Sequence, residues 1–275
     1  IICLGIRLSF EEFIKFGSIA IPLIIVCILA VLILIKLLIK KVPISSKMSY
    51  LIAIGTSVCG ATAIVATAPV INAKKTEIAY AIANITLFGV IAMIVYPYFA
   101  EWFFNENELK AGLFLGTAIH ETSQVAAAGL IYDQQFNSPE TLNVATVTKL
   151  IRNTFLVIMI PLFAFLYNRG EMKGNSYSLL DIFPYFVLGF IGMIIIRNLG
   201  DQIFLIESEN YFYWTNFIGI IKILATTFLT MAMAAIGISI NLNELKMMGY
   251  KPFIVGLIAA VTVGFVSLIY IQIMS

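Results

Sequence analysis

The residues best placed to do chemistry lie in two long apolar stretches in the middle of the chain. His120 and Glu121 stand side by side in the first stretch, and Lys149 and Arg152 stand three residues apart in the second. Side chains three apart on a helix share one face, so the two cations would point the same way. Ionisable groups deep inside apolar segments are expensive to bury and indicate function by default.

The His-Glu pair does not predict a metal site. His120 is the one histidine of the chain, and Gln124 stands where an HExxH motif would need a second histidine. A neutral histidine that hydrogen-bonds a facing helix is the plainer interpretation of His120. A buried carboxylate needs a cation or a proton, so we expect Glu121 to have such a partner.

Two uses of Lys149 and Arg152 follow from the sequence. They either pair with Glu121 or meet an anionic solute, and a transporter could alternate between the two states. The alternative is that both side chains snorkel to the membrane surface, because Lys149 lies only about two turns inside its segment.

Small residues interrupt two of the apolar segments. The first reads GTSVCGAT from Gly55 onwards, where helix propensity is poor, and we expect its helix to break within Gly55–Gly60. The second is expected to break within Gly116–Glu121. Free backbone groups at membrane depth are tolerated only where they line a cavity or are buried in protein. The N-terminal end of a half-helix there could face an anion. Asn84 and Thr86 are further candidates for the same cavity.

The elements that position these residues are membrane helices. Hydrophobic residues make up 61% and charged residues 12% of the 275 positions, whereas soluble domains carry about 25% charged residues. The net charge of +2 gives no sign of a nucleic-acid partner. Segments long and apolar enough to span are 18–39, 48–71, 78–100, 109–132, 141–167, 180–198, 213–240 and 252–274. We therefore expect one all-α, polytopic transmembrane domain over residues 1–275, with about eight spanning helices.

Lysine and arginine mark the cytoplasmic side. If every segment crosses once, the richer side holds Lys36, Lys40, Lys41, Lys47, Lys110, Arg169, Lys173, Lys246 and Lys251. The poorer side then holds Arg7, Lys15, Lys74, Lys75 and Arg197. If segments 48–71 and 109–132 instead dip in and return, Lys74 and Lys75 join the richer side and Lys110 leaves it. Both arrangements place the same side in the cytoplasm.

Two internal repeats suggest an inverted architecture. Residues 4–17 resemble residues 236–249, and the segment count puts the two copies on opposite membrane faces. Residues 55–68 resemble residues 116–129, so that Gly55 aligns with Gly116. Inverted repeats are a recurring plan in transporters, with the binding site at the repeat interface. Tight helix packing by small residues is the alternative explanation of the second pair.

The motifs resemble a known family. The runs GIRLSF, GTSVCGATAIVATAPVI, TLFGVIAMIVYP, GTAIHETSQVAAAG and VTKLIRN are similar to the YeiH-type family of bacterial membrane proteins, which is named for sulfate export. The resemblance covers nearly the whole chain. It implies an inner-membrane protein related to the bile-acid, arsenite and riboflavin transporters, whose discontinuous helices cross at the substrate site. It also implies about three further helices ahead of residue 1.

The resemblance and the charge pattern together give the expected site. Members often have aspartate where this chain has Glu121. The expected substrate-binding residues are Gly55, Thr56, Ser57, Cys59, Gly60, Thr117, His120, Glu121, Gln124, Lys149 and Arg152. His120 and Glu121 would also bind a coupling ion, either a proton or sodium.

We therefore expect a secondary transporter that moves a small anion, such as sulfate or an organic sulfonate, across the bacterial inner membrane. The expected partners are that anion, the lipid bilayer and the coupling ion, with no cofactor and no nucleic acid; homo-oligomer formation stays open. A channel or sensor subunit is the second interpretation. An intramembrane enzyme is the third, because no nucleophile motif or metal set accompanies the His-Glu pair.

Overall fold

The computed structural model describes residues 2–7, 10–39, 41–105, 107–171, 186–204, 210–238 and 249–274. Every regular element within these ranges is helical, which confirms the all-α expectation. Helices suit this apolar chain because they satisfy the backbone hydrogen bonds inside a single segment.

A 3-10 helix, Ile2–Arg7, comes first. The α-helices that follow are α1 Phe10–Ile39, α2 Ser46–Ser57, α3 Ala61–Thr67, α4 Lys75–Phe104, α5 Glu108–Ala118, α6 Thr122–Phe136, α7 Pro139–Thr154, α8 Leu156–Glu171, α9 Phe186–Ile203, α10 Tyr211–Ile238 and α11 Lys251–Ile273.

Four stretches in the described ranges are long and apolar enough to cross a membrane. They are Ile14–Ile39, Lys75–Phe104, Glu140–Phe163 and Lys251–Ile273. They correspond to the predicted segments 18–39, 78–100, 141–167 and 252–274. The predicted segments 180–198 and 213–240 lie partly outside the described residues, which contain only α9 and α10 from them.

The glycine-rich segment around Gly55 is a hairpin that enters and leaves on one side. An added Cβ at Gly55 in α2 would lie 2.8 Å from the Ile64 side chain in α3, so the two helices pack side by side. At their outer ends, Lys47 Nζ donates to the Asn72 carbonyl at 2.7 Å. Helices that meet at their outer ends and turn within residues 58–60 run antiparallel. We call α2 and α3 the first hairpin and residues 58–60 its tip.

Helices α5 and α6 form a second hairpin, and α7 shows the direction of each arm. For α6, Asn153 Nδ2 in α7 donates to Thr122 Oγ1 at 3.2 Å, and an added Cβ at Gly129 would lie 2.9 Å from Leu142 Cα. Increasing residue numbers in α6 therefore pair with decreasing numbers in α7. The two helices are antiparallel.

The other arm, α5, runs parallel to α7. Thr141 Oγ1 donates to the Glu108 carbonyl at 3.4 Å, and an added Cβ at Gly116 would lie 2.7 Å from Thr148 Cβ. Since α5 is parallel and α6 antiparallel to the same helix, the chain reverses between them. We call α5 and α6 the second hairpin and residues 119–121 its tip.

Helix α4 shows that the hairpins enter from opposite sides. Near its start, Glu77 Oε1 accepts a 2.5 Å hydrogen bond from Ser45 Oγ at the base of the first hairpin. Near its end, Glu101 Oε2 accepts a 2.7 Å hydrogen bond from Tyr132 OH at the base of the second. A 30-residue helix is about 45 Å long, enough to cross the bilayer. Segments 48–71 and 109–132 therefore each turn back on themselves, which agrees with the second of the two arrangements considered above.

The hairpins also bear out one internal repeat. Aligning Gly55 with Gly116 places residues 58–60 opposite residues 119–121, so the two tips occupy equivalent positions. Because the hairpins enter from opposite sides, this repeat is inverted. The other pair, residues 4–17 and 236–249, lies partly outside the described residues.

One break was not predicted. The helix expected over 141–167 divides at Phe155, where the backbone N–H donates to the Arg152 carbonyl at 3.2 Å. This tighter, 3-10-type bond distorts a single turn. Beyond the break, Tyr167 in α8 contacts Tyr50 in α2 at 5.8 Å between ring centroids. Helices α7 and α8 together therefore cross from the base of the second hairpin to the side of the first.

The hairpin arrangement predicts a labelling pattern. The positive-inside rule predicts that the lysine-rich side, which holds the base of the first hairpin, is cytoplasmic. We expect Ser46→Cys and Lys75→Cys to react with a membrane-impermeant maleimide only after the cells are opened. Asn107→Cys and Gln135→Cys should react in intact cells, and all four positions are exposed. The background would be the chain with its native cysteines replaced. Labelling of Ser46→Cys and Lys75→Cys from different sides would show that the segment crosses.

Candidate functional site at the hairpin tips

The two tips touch each other near the middle of α4. Gly60 ends the first tip with φ +70°, and an added Cβ there would lie 2.7 Å from Glu121 Cγ and 3.3 Å from the His120 carbonyl oxygen. The glycine therefore lets the first hairpin meet the second without an intervening side chain. We call this contact the tip junction.

Lys149 joins both tips from α7. Its ammonium donates to the Val58 carbonyl at 3.1 Å and to the Ile119 carbonyl at 2.9 Å. These two carbonyls occupy equivalent positions in the inverted repeat. A single side chain therefore binds the same backbone group in each hairpin.

Arg152, one turn further along α7, also binds backbone carbonyls of both hairpins, through three nitrogen donors. Its Nε donates to the Ser57 carbonyl at 3.0 Å, and its two terminal nitrogens donate to the carbonyls of Thr56 and Thr117. Thr56 and Thr117 are again equivalent positions of the repeat. The guanidinium spans both hairpins.

The ends of α2 and α5 explain why Lys149 and Arg152 bind carbonyls of both hairpins. The last carbonyls of α2 and α5 have no intrahelical partner, and each C-terminus carries the negative end of a helix dipole. Lys149 and Arg152 supply hydrogen bonds and positive charge to both ends at once. Both side chains are 0% exposed, so the snorkelling alternative is wrong. They donate to carbonyls in this structure rather than to the Glu121 carboxylate.

Helix α4 forms the opposite wall of the tip junction. Thr86 Oγ1 donates to Glu121 Oε1 at 3.1 Å, and Gln124 Nε2 donates to the Thr86 carbonyl at 3.2 Å. Asn84, the other candidate in this helix, instead donates to the Pro252 carbonyl at 2.9 Å in α11. Positions two apart on a helix point in different directions, so Thr86 lies at the site and Asn84 does not.

Several buried polar atoms around the tips have no hydrogen-bond partner within the described residues. They are Thr56 Oγ1, Ser57 Oγ, His120 Nδ1 and Thr148 Oγ1. Their residues are at most 1% exposed. Buried polar atoms in native proteins are nearly always paired. Their concentration beside two buried cations indicates a place where a polar ligand supplies the missing partners.

The remaining predicted residues lie close to this junction but have other contacts. Gly55 packs inside the first hairpin, where an added Cβ would also lie 3.2 Å from Ile85. Cys59, in the first tip, is 4% exposed. Thr117 Oγ1 is 2.5 Å from Ser267 Oγ in α11.

Other residues at the junction were missed from the sequence. Val58 and Ile119 contribute only their carbonyls, so their side-chain types give no signal. Ser267 lies in a largely apolar helix that also contains Thr262, so its residue type does not distinguish it. Thr148 directly precedes Lys149, and its residue type alone gives no signal.

Comparison with protein-family models matches residues 1–256 to the family described as conserved hypothetical protein 698. A UPF0324 membrane protein of Fusobacterium nucleatum subsp. nucleatum is 36% identical over 273 residues, covering 98% of this chain and 78% of the relative. A UPF0324 membrane protein of Streptococcus agalactiae serotype V is 33% identical over 260 residues, covering 93% and 73%. No solved structure matches.

The family match extends over most of the chain, and the relatives named above are called membrane proteins. The helices long enough to span a bilayer agree with that description. The chain therefore belongs to the conserved hypothetical protein 698 family, the YeiH-type or UPF0324 family, and is a multi-pass membrane protein of bacteria.

Proposed function

We propose that the protein is a secondary transporter that binds a small anionic solute, of the sulfate or organic sulfonate type, at the tip junction. The observation that carries this proposal is the pair of buried cations, Lys149 and Arg152, that joins two oppositely inserted hairpins. Binding at the interface of inverted repeats, between discontinuous helices, is a recurring plan in transporters.

The two cations retain donors for a solute. An ammonium has three N–H donors, and Lys149 uses two of them on carbonyls. A guanidinium has five, and Arg152 uses three. With the hydroxyls of Thr56, Ser57 and Thr148, these donors could surround an oxyanion. Charge-assisted hydrogen bonds of this kind are strong in a buried site.

The arrangement also suggests how access alternates. Each hairpin is attached to α4 at its base, through Glu77 for the first and Glu101 for the second. Displacement of the first hairpin would open the junction to the lysine-rich side, and displacement of the second would open it to the other side. The hairpin that stays in place closes the opposite side, which is the requirement for alternating access.

Glu121 is the proposed coupling group. Its carboxylate is partly buried and, within the described part of the chain, accepts one hydrogen bond, from Thr86. Binding of a proton or a sodium ion would remove a negative charge from the junction and favour anion entry. His120 lies beside it and is 1% exposed.

A ligand screen tests the proposal. Purified protein would be heated with sulfate, sulfite, thiosulfate, ethanesulfonate or acetate at equal ionic strength. A specific anion present at 100 times its Kd should stabilise the fold by about 2.7 kcal/mol. Stabilisation by cations or neutral amines alone would overturn the charge argument.

Thr148→Val provides the matched variant. The Thr148 hydroxyl has no partner among the described residues, so its replacement should not lower the unliganded melting temperature but should reduce the anion-induced shift. Thr262→Val in α11, where the hydroxyl donates to the Ile258 carbonyl, should not reduce that shift. Saturable, gradient-driven uptake into proteoliposomes should accompany binding, whereas ohmic currents would indicate a channel.

A further inference from the structure

The two walls of the tip junction have opposite polarity. Helix α7 contributes two basic side chains, Lys149 and Arg152, both 0% exposed. The wall on the α4 side consists of Thr86, Glu121 and Gln124, joined through hydrogen bonds to Thr86. A solute at the junction therefore meets donors on one side and a carboxylate on the other.

The α4 side presents acceptors. The Thr86 hydroxyl donates a hydrogen bond to Glu121 Oε1, and the Gln124 amide nitrogen donates to the Thr86 carbonyl. Gln124 Oε1 has no partner within the described residues, although Gln124 is only 6% exposed. Glu121 directly precedes α6 and Gln124 lies in its first turn, and both side chains contact Thr86. Both carry oxygen lone pairs that no described donor uses.

Two glycines hold these acceptors in place. An added Cβ at Gly60 would lie 2.7 Å from Glu121 Cγ, and one at Gly89 in α4 would overlap the Gln124 amide. The Glu121 side chain thus packs against Gly60, and the Gln124 amide packs against Gly89.

This polarity bears on the class of solute. An anion that offers only acceptor oxygens would satisfy α7 but be repelled by the Glu121 carboxylate, because like charges in a buried site interact strongly. An ammonium group beside Glu121 and Gln124 would turn that repulsion into attraction. A short molecule with both charges matches both walls.

We propose that the solute is a zwitterion, with a sulfonate or carboxylate towards Lys149 and Arg152 and an ammonium group bound by Glu121 and Gln124. This inference rests on the proposed function and narrows its substrate class. The ammonium group takes the place of a separate coupling cation at Glu121.

Matched ligand pairs test the inference. 2-Aminoethanesulfonate carries an ammonium group where propane-1-sulfonate carries a methyl group, and the two molecules are nearly equal in size. β-Alanine and butyrate differ in the same way. We expect the zwitterion of each pair to bind the purified protein at least tenfold more tightly in calorimetry, with choline or sodium as the buffer cation. Tenfold corresponds to about 1.4 kcal/mol.

The variant Glu121→Gln should abolish this preference, because it removes the charge that attracts the ammonium group. Glu101→Gln is the control, since that carboxylate binds Tyr132 far from the junction and its loss should leave the preference intact. If Glu121→Gln does not fold, the binding of the matched ligand pairs to the wild-type protein still tests the zwitterion proposal.

The possible results separate the two proposals. If the two ligands of each pair had equal Kd values, the zwitterion proposal would be overturned and the proposal of an anion transporter would be unaffected. Binding of propane-1-sulfonate that requires sodium would also overturn the zwitterion proposal, because Glu121 would then bind a separate cation. If none of these probes nor any anion of the screen binds, the proposed function itself fails.

Discussion

Replacing Arg152 by glutamine should destabilise the protein more than any other single change of a charged residue described here. The guanidinium binds three carbonyls at the ends of two half-helices, and all of them would lose a buried partner. Breaking a buried charged interaction costs about 3–5 kcal/mol. We therefore expect the melting temperature in detergent to fall by roughly 10 °C. The buried thiols of Cys27 and Cys59 allow unfolding to be followed with a thiol-reactive dye.

Arg197→Gln is the matched control for that experiment. Arg197 forms a 2.7 Å ion pair with Asp201, but the two side chains are 18% and 30% exposed. Such i, i+4 pairs contribute about 0.3–0.5 kcal/mol, so the melting temperature should change by little more than 1 °C. Equal losses in the two variants would show that the Arg152 guanidinium does not hold the hairpins together.

Local sequence signals were sufficient for the main features of the site. Poor helix formers at Gly55–Gly60 predicted the first break, which the structure places at residues 58–60. The three-residue spacing of Lys149 and Arg152 predicted a shared helix face. Both inferences depend only on propensity and periodicity, which are properties of short segments.

The partners of the two cations could not be predicted in this way. A carbonyl at Val58 or Ile119 looks the same in the sequence whatever side chain it accompanies. The turn within each hairpin could not be predicted as a reversal of the chain, because hydropathy does not distinguish a segment that crosses the membrane from one that turns back. The decisive contact, Lys47 with the Asn72 carbonyl, joins residues outside the apolar stretch.

The face of α4 that points towards the site could not be predicted either. Thr86 and Asn84 were both candidates for the site, and of the two Thr86 contacts the tip junction. Their separation excludes a common face, but the choice between them depends on whether α6 or α11 lies on a given side of α4. That neighbourhood is decided by long-range packing rather than by the local sequence.

Gly60 should tolerate no side chain, for two separate reasons. Its backbone lies at φ +70° and ψ −129°, a region that is essentially restricted to glycine and costs other residues about 1–3 kcal/mol. An added Cβ would also lie 2.7 Å from Glu121 Cγ and 3.3 Å from the Ile85 side chain. Gly60→Ala should therefore force the tips apart, lowering the melting temperature and abolishing anion-induced stabilisation.

Two other glycines separate these causes. Gly249 has φ +69°, but no atom of the described residues lies within 4 Å of an added Cβ, so Gly249→Ala should show backbone strain alone. Gly219, within α10, has neither a positive φ nor a close neighbour in the described part of the chain, and Gly219→Ala should stabilise the helix by about 0.5–1 kcal/mol. The melting temperature should fall in the order Gly219→Ala, wild type, Gly249→Ala, Gly60→Ala. If Gly60→Ala were no worse than Gly249→Ala, its Cβ would meet no obstacle, and the contact between the tips would be refuted.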